Sequence, residues 1–195
     1  MKNILLIDNY DSFIYNLKHL FLSNNCKLSV RRNDEDFIKD LYRGIYDGVV
    51  IGPGPGSVED ERYFGNNYRV IREFNLPILG VCLGFQGIIH ELGGTLKVCK
   101  YPFHGKLSSL NISESVLLNN IPQYSKVMRY HSIMADKTLP CLRLTSFVNE
   151  ESVNGAELMS FEHKERPLFG VHYHPESFAT EHGDLVVKNF LGVIN

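Results

Sequence analysis

Cys82 is the side chain in this sequence with the best setting for a nucleophile. It lies between Gly80 and Gly84, after a short apolar run that opens at Pro77 and before a segment in which Ile88, Ile89 and Leu92 recur at helical spacing. That order reads as strand, sharp turn and helix, where small neighbours let a strained backbone hold a reactive group clear of a sheet. The helix behind the turn aims unsatisfied N–H groups at the sulfur, which favours thiolate over thiol. The same residues also fit a small buried hydrophobe, the ordinary role of an intracellular cysteine. A thiol nucleophile needs a base, and the base needs a group on its other ring nitrogen. His174-Pro175-Glu176 offers both, because proline stiffens the chain after the histidine and Glu176 follows two residues on. Cys82, His174 and Glu176 would then be a triad that meets only in the fold. His172 and His174 at i, i+2, with His182 further on, read alternatively as a weak metal-ligand set.

A second feature is Gly52-Pro53-Gly54-Pro55-Gly56, which suits neither helix nor strand interior and follows the buried run Val49-Val50-Ile51. The carboxyl end of a strand is where α/β sheets keep their ligand sites. Its glycines let backbone N–H groups approach an oxyanion; a tight structural turn is the other reading. No Gly-Lys-Ser/Thr follows, so it is not a phosphate loop of the nucleotide-binding kind.

The elements that must position these residues are repeated βα units. Residues 3–8 read as a buried strand of a parallel sheet. The polar break Asp8-Asn9-Tyr10-Asp11-Ser12 follows, with Asp11 or Ser12 able to cap a helix whose Phe13, Leu17, Leu20 and Phe21 share a face. A strand is expected over 28–31, a helix over 35–42, a strand over 47–51 and one long polar helix over 59–74. Such alternation predicts a parallel, doubly wound sheet with right-handed crossovers. After Gly94 the pattern changes to short strands over 95–100, 105–112, 141–148, 157–162 and 168–173, more like antiparallel hairpins added to the first sheet. A closing amphipathic helix over 181–194 turns Leu185, Val186 and Phe190 inward. No repeat or linker divides the chain, so one domain over 1–195 is expected.

Composition narrows the function classes. With Lys+Arg 20 against Asp+Glu 22 the net charge is −2, lacking the basic excess that nucleic acid binding requires. No apolar stretch approaches the roughly 18 residues of a membrane span. The amino terminus leads straight into a strand pattern rather than a signal peptide, and Cys26, Cys82, Cys99 and Cys141 form no C-x-x-C pair. A reducing, cytoplasmic setting is expected.

Gly-Pro-Gly-Pro-Gly, then Gly-Val-Cys-Leu-Gly-Phe-Gln, then Tyr130-His131-Ser132, then His174-Pro175-Glu176 together resemble, in content, order and spacing, the class I glutamine amidotransferases. Asp8-Asn9-Tyr10-Asp11-Ser12-Phe13 resembles the branch that serves chorismate-using synthases. The resemblance implies a flavodoxin-like mixed sheet and glutamine hydrolysis through a Cys82 thioester, with ammonia passed to a separate chorismate-binding synthase subunit. By similarity, His174 and Glu176 complete the triad, and the Leu83 N–H with one from the Gly54–Gly56 loop meets the oxyanion. Gly54, Pro55, Gly56, Gln86, His131 and Ser132 would bind glutamine, with no metal and no cofactor in this subunit. Anthranilate synthase is the first expectation for the synthase. Aminodeoxychorismate synthase, or a subunit serving both, is the alternative; a free-standing γ-glutamyl hydrolase and a catalytically silent regulatory subunit rank below. The chain departs from the family pattern at two places: Phe85 stands where histidine is usual, and His172-Tyr173 where Gln-Phe is usual.

Overall fold

A computed structural model describes residues 1–148 and 155–194. The first strand, β1 (Asn3–Asp8), sets the layering: Ile4 and Leu6 point into one buried cluster, Leu5 and Ile7 into another. Alternate side chains of a strand face opposite sides, so a run apolar at every position needs cover on both faces. Helix α1 (Ile14–Leu22) covers the first face, β2 (Lys27–Arg32) pairs parallel with β1, and α2 (Ile38–Tyr42) crosses to the second face. β3 (Gly48–Ile51) then joins the other edge of β1.

Two short helices follow, α3 (Glu61–Phe64) and α4 (Asn67–Glu73), then β4 (Ile78–Val81) and α5 (Leu83–Glu91). The single helix expected over 59–74 is therefore broken. At the break Gly65 takes φ 47, and Asn66 N–H leaves the helical ladder for the Asn33 carbonyl at 2.9 Å. The helix expected from residue 35 begins at Ile38. Neither Asp11 nor Ser12 caps α1; Phe13 occupies the cap, and the Asp11 carboxylate accepts from the Phe13 N–H at 2.7 Å, ahead of the helix.

The second half contains β5 (Thr95–Val98), β6 (Lys106–Ser109), β7 (Asn111–Ile112), β8 (Lys126–Arg129), β9 (Ile133–Lys137), β10 (Leu142–Val148), β11 (Glu157–His163), β12 (Leu168–Val171) and α6 (Gly183–Val193). The main sheet runs β2-β1-β3-β4-β12-β11-β10-β7, parallel from β2 through β12 and antiparallel beyond. Helices α1 and α6 pack on one face and α2, α4 and α5 on the other. β5 with β9 and β6 with β8 form two antiparallel ribbons beside it. The strand expected over 105–112 splits accordingly: β6 belongs to a ribbon and β7 to the main sheet. β8 and β9 were not expected from the sequence. No helix among the described residues is long and apolar enough to cross a membrane.

Candidate active site

The registers of β4 and β12 bring Cys82 and His174 to the same end of the sheet. These strands pair in parallel with Val81 opposite Val171, so Cys82 and His172 leave the sheet side by side, and the Cys82 N–H donates to the Val171 carbonyl at 2.9 Å. Cys82 has φ 52 and ψ −98, a conformation that costs an L-residue on the order of 1–3 kcal/mol. The glycines on either side make that turn possible. A Cβ on Gly80 would lie 2.5 Å from the Gly84 carbonyl carbon, and one on Gly84 would run into the Ile51 carbonyl oxygen. Helix α5 thus packs backbone to backbone on β3 and β4. Leu83 is its first residue, so its N–H is one of the donors that the helix cannot use.

His174 stands two residues past His172. Its Nδ1 and Glu176 Oε1 are 2.6 Å apart, with both side chains buried, and the carboxylate fixes the proton on Nδ1. Nε2 is therefore the ring atom left to face Cys82; it makes no hydrogen bond. Burial works against charge on this ring, but interaction with Cys82 and Glu176 outweighs it and holds its pKa well above the usual histidine value. The Tyr130 ring meets the His174 ring edge-on at 5.1 Å between centroids and stacks on Phe13 at 5.9 Å. Tyr130 is part of a motif legible in the sequence, but its wall against His174 was not foreseen.

In front of the sulfur is a cavity of about 190 Å³ lined by Gly54, Pro55, Gly56, Cys82, Leu83, Gln86, Tyr130, His131, Ser132 and Ile133. Every expected glutamine-binding residue lies on its wall. The Gly-Pro loop is held from below by Asn9, for which no role in the site was expected from the sequence: its Nδ2 donates to the Gly52 carbonyl at 2.8 Å. Asn33 and Asn67 in turn donate to the Asn9 Oδ1 at 3.0 and 2.6 Å. This buried knot ties the ends of β1 and β2 and the start of α4 to the loop. On the other side of His174 a wider hollow of about 450 Å³ opens between α1 and residues 174–178, where Phe178 is 98% exposed.

Behind the cavity lies a polar cluster with no sequence signal of its own. Arg129 is fully buried over the Phe103 ring, donates to Ser108 Oγ at 3.0 Å and pairs with Glu157. His131 contacts both, and its ring stacks on His172 at 3.7 Å. The other face of His172 stacks on Phe85 at 4.5 Å. The two departures from the family pattern thus touch each other: an aromatic ring on α5 and an imidazole after β12 fill one site together. Burial foremost lowers the pKa of both His131 and His172; for His172, the neighbouring His131, Arg129 and His174 add to it.

His172, His174 and His182 do not form a ligand set. His172 faces His131 and Gln86, His174 faces Glu176, and His182 precedes α6 in a left-handed turn. Among the described residues the group of donors close enough to share an ion is instead Cys99, His131 and Glu157, within 4.8 Å of one another. Glu157 is already engaged by Arg129, and burial raises the Cys99 thiol to about 11, so this group suits a guanidinium better than a metal cation.

A strained cysteine elbow, a His–Glu pair just past the adjacent strand and a glycine-walled cavity make up the geometry that a cysteine nucleophile would use. The sequence pattern of the class-I glutamine amidotransferases matches residues 5–193, and the chain belongs to that family. It is 36% identical to anthranilate synthase component 2 of Leptospira biflexa, over 96% of this chain and 98% of that protein. It is 39% identical to an aminodeoxychorismate synthase of Streptomyces pristinaespiralis over 95% of this chain, but spans only 26% of that larger protein. Among solved structures, a protein described as a GMP synthase subunit from Thermoplasma acidophilum shares the fold, with a TM-score of 0.87 at 23% identity, covering 100% of this chain and 94% of that one.

Proposed function

We propose that this chain is the glutaminase component of a chorismate-using synthase. The Cys82 thiolate attacks the side-chain amide carbon of glutamine, and the tetrahedral oxyanion is met by the Leu83 N–H and an N–H of the Gly54–Gly56 loop. Each such donor is worth roughly 3–4 kcal/mol to the barrier. His174 gives its proton to the departing ammonia, leaving a γ-glutamyl thioester. The ring then takes a proton from water, whose attack releases glutamate and restores the thiolate. Glu176 keeps Nε2 turned toward these events. Gln86, His131 and Ser132 hold the α-amino and α-carboxylate end of glutamine, which separates it from other amides. Side chains and water supply every step, so we assign no cofactor and no metal.

The observation that carries this reading is the meeting of Cys82, at positive φ on its elbow, with the His174–Glu176 pair beside the cavity. The partner is a chorismate-binding synthase subunit, seated over the outer hollow where Phe178 and Phe13 are exposed beside His174. The relative in Leptospira biflexa favours anthranilate synthase, and the Streptomyces relative keeps aminodeoxychorismate synthase as the second reading. The choice lies in the partner's chemistry, not in this site. The test is glutamine hydrolysis by the chain with and without each synthase. Turnover should be low alone, rise with the true partner and vanish in Cys82→Ala. Equal turnover in Cys82→Ala would refute the assignment, and full turnover without a partner would point to a free-standing hydrolase.

A further inference from the structure

We propose that His172 is a positioning residue for substrate recognition: clamped between Phe85 and His131, it holds the Gln86 amide with its oxygen turned into the cavity. This rests on reading that cavity as the glutamine site. Gln86 Nε2 carries two hydrogens. One goes to the Ile133 carbonyl at 3.1 Å, and the other faces His172 Nε2 at 3.0 Å. A carbonyl can only accept, so the Ile133 contact requires the amide nitrogen on that side. With both hydrogens committed within the protein, Oε1 is the polar atom left for the cavity that Gln86 lines. It is an acceptor, matched to the α-ammonium group of an amino acid.

The arrangement works only if His172 Nε2 accepts, which requires a neutral ring protonated on Nδ1. The surroundings meet that condition. His172 is wholly buried and its Nδ1 makes no hydrogen bond, so the Gln86 amide at Nε2 is what selects the tautomer; burial first, then His131, Arg129 and His174, disfavour a second proton. Glu157, the nearby carboxylate of β11, is spent on Arg129 and His131. From α5 the ring meets Phe85 and the Gln86 amide. Stacking at 4.5 Å and 12° on Phe85, and at 3.7 Å and 13° on His131, fixes the plane of the imidazole. A protonated or rotated ring would present a donor to a donor.

The test compares His172→Phe, which keeps a flat ring in the stack but lacks the acceptor, with His172→Gln, which keeps an acceptor. The measurements are glutamine KM and kcat with the partner present, and the rate of Cys82 alkylation by iodoacetamide. His172→Phe should raise KM about five- to tenfold, the scale of one lost hydrogen bond, with kcat within about threefold and alkylation unchanged. His172→Gln should recover KM to within about twofold. In a Gln86→Leu background His172→Phe should add nothing further to KM, because the two act through one amide. Unchanged KM, an equal effect in the Gln86→Leu background, or a joint fall in kcat and alkylation would each overturn the proposal. One readout needs no variant: 15N shifts of His172 should show a neutral ring with its proton on Nδ1, and a proton on Nε2 would overturn the acceptor role. Absence of wild-type glutaminase activity with any synthase would instead count against the assigned function, and the tautomer measurement would still judge the hydrogen bond.

Discussion

The buried histidines carry opposite charge preferences, and replacing one of them exposes its share of the protein's stability. In the unfolded chain each imidazole gains a proton as pH falls through about 6.5. Folded His172 resists that proton because it is buried and because His131, Arg129 and His174 surround it. Its contribution is thus present above about 6.5 and is lost on acidification. Folded His174 behaves in the reverse sense: Cys82 and Glu176 overcome burial and keep it protonated, so its contribution is complete below about 6.5 and fades as pH rises through its raised folded value. Between about pH 7.5 and pH 5.5 a histidine that stays neutral when folded loses about 1.4 kcal/mol of stability, by integrating the proton uptake of the unfolded state. His172→Gln removes that loss while leaving the other titrating groups in place. In urea unfolding, wild type minus variant should shift by about 1.4 kcal/mol in the variant's favour over this range. A difference that stays constant with pH to within about 0.4 kcal/mol would refute the neutral, buried state of His172.

Other perturbations address the remaining parts of the site. Glu176→Gln preserves shape but no longer fixes the His174 tautomer, and glutamine turnover should fall by about 10²–10⁴-fold with little change in KM; steady-state kinetics decides. Gly84→Ala drives a methyl group into the Ile51 carbonyl, and thermal unfolding should show a loss of about 1–3 kcal/mol, or roughly 2–10 °C. Arg129→Met removes the guanidinium that pairs with the buried Glu157 carboxylate and should cost about 3–5 kcal/mol in denaturant unfolding, most of which Arg129→Met with Glu157→Leu recovers.

The parallel half of the fold was legible because β1, β3 and β4 are continuous apolar runs between turn residues, a pattern that double-sided burial imposes. β8 and β9 escaped notice for the opposite reason. β8 reads Lys-Val-Met-Arg, with its arginine buried by pairing with Glu157 rather than by apolar character, and β9 ends in Asp-Lys at the ribbon's exposed end. The break at Gly65 was hidden because a lone glycine is tolerated in many helices; here Asn66 and Asn67 turn to Asn33 and Asn9 instead. Cys82, His174 and Glu176 stood out as candidates because of their residue types, and the fold sets His174 Nδ1 against Glu176. The stack of Phe85, His172 and His131 could not, since ring contact is a property of β12, α5 and the β8–β9 connection only once they meet. Phe85 was visible as an exception but had no explanation until the ring beside it was placed.

The backbone at Cys82 sets stability against function at a single codon. Glycine adopts φ 52, ψ −98 without the steric cost that cysteine bears there, a relief of about 1–3 kcal/mol against the roughly 0.5–1 kcal/mol that glycine loses in chain entropy. A library sorted for heat resistance alone would drift toward glycine at this position and discard the sulfur. Under the proposed function, cysteine is kept at this elbow by selection for turnover, and the cost in folding energy is the mark of that selection.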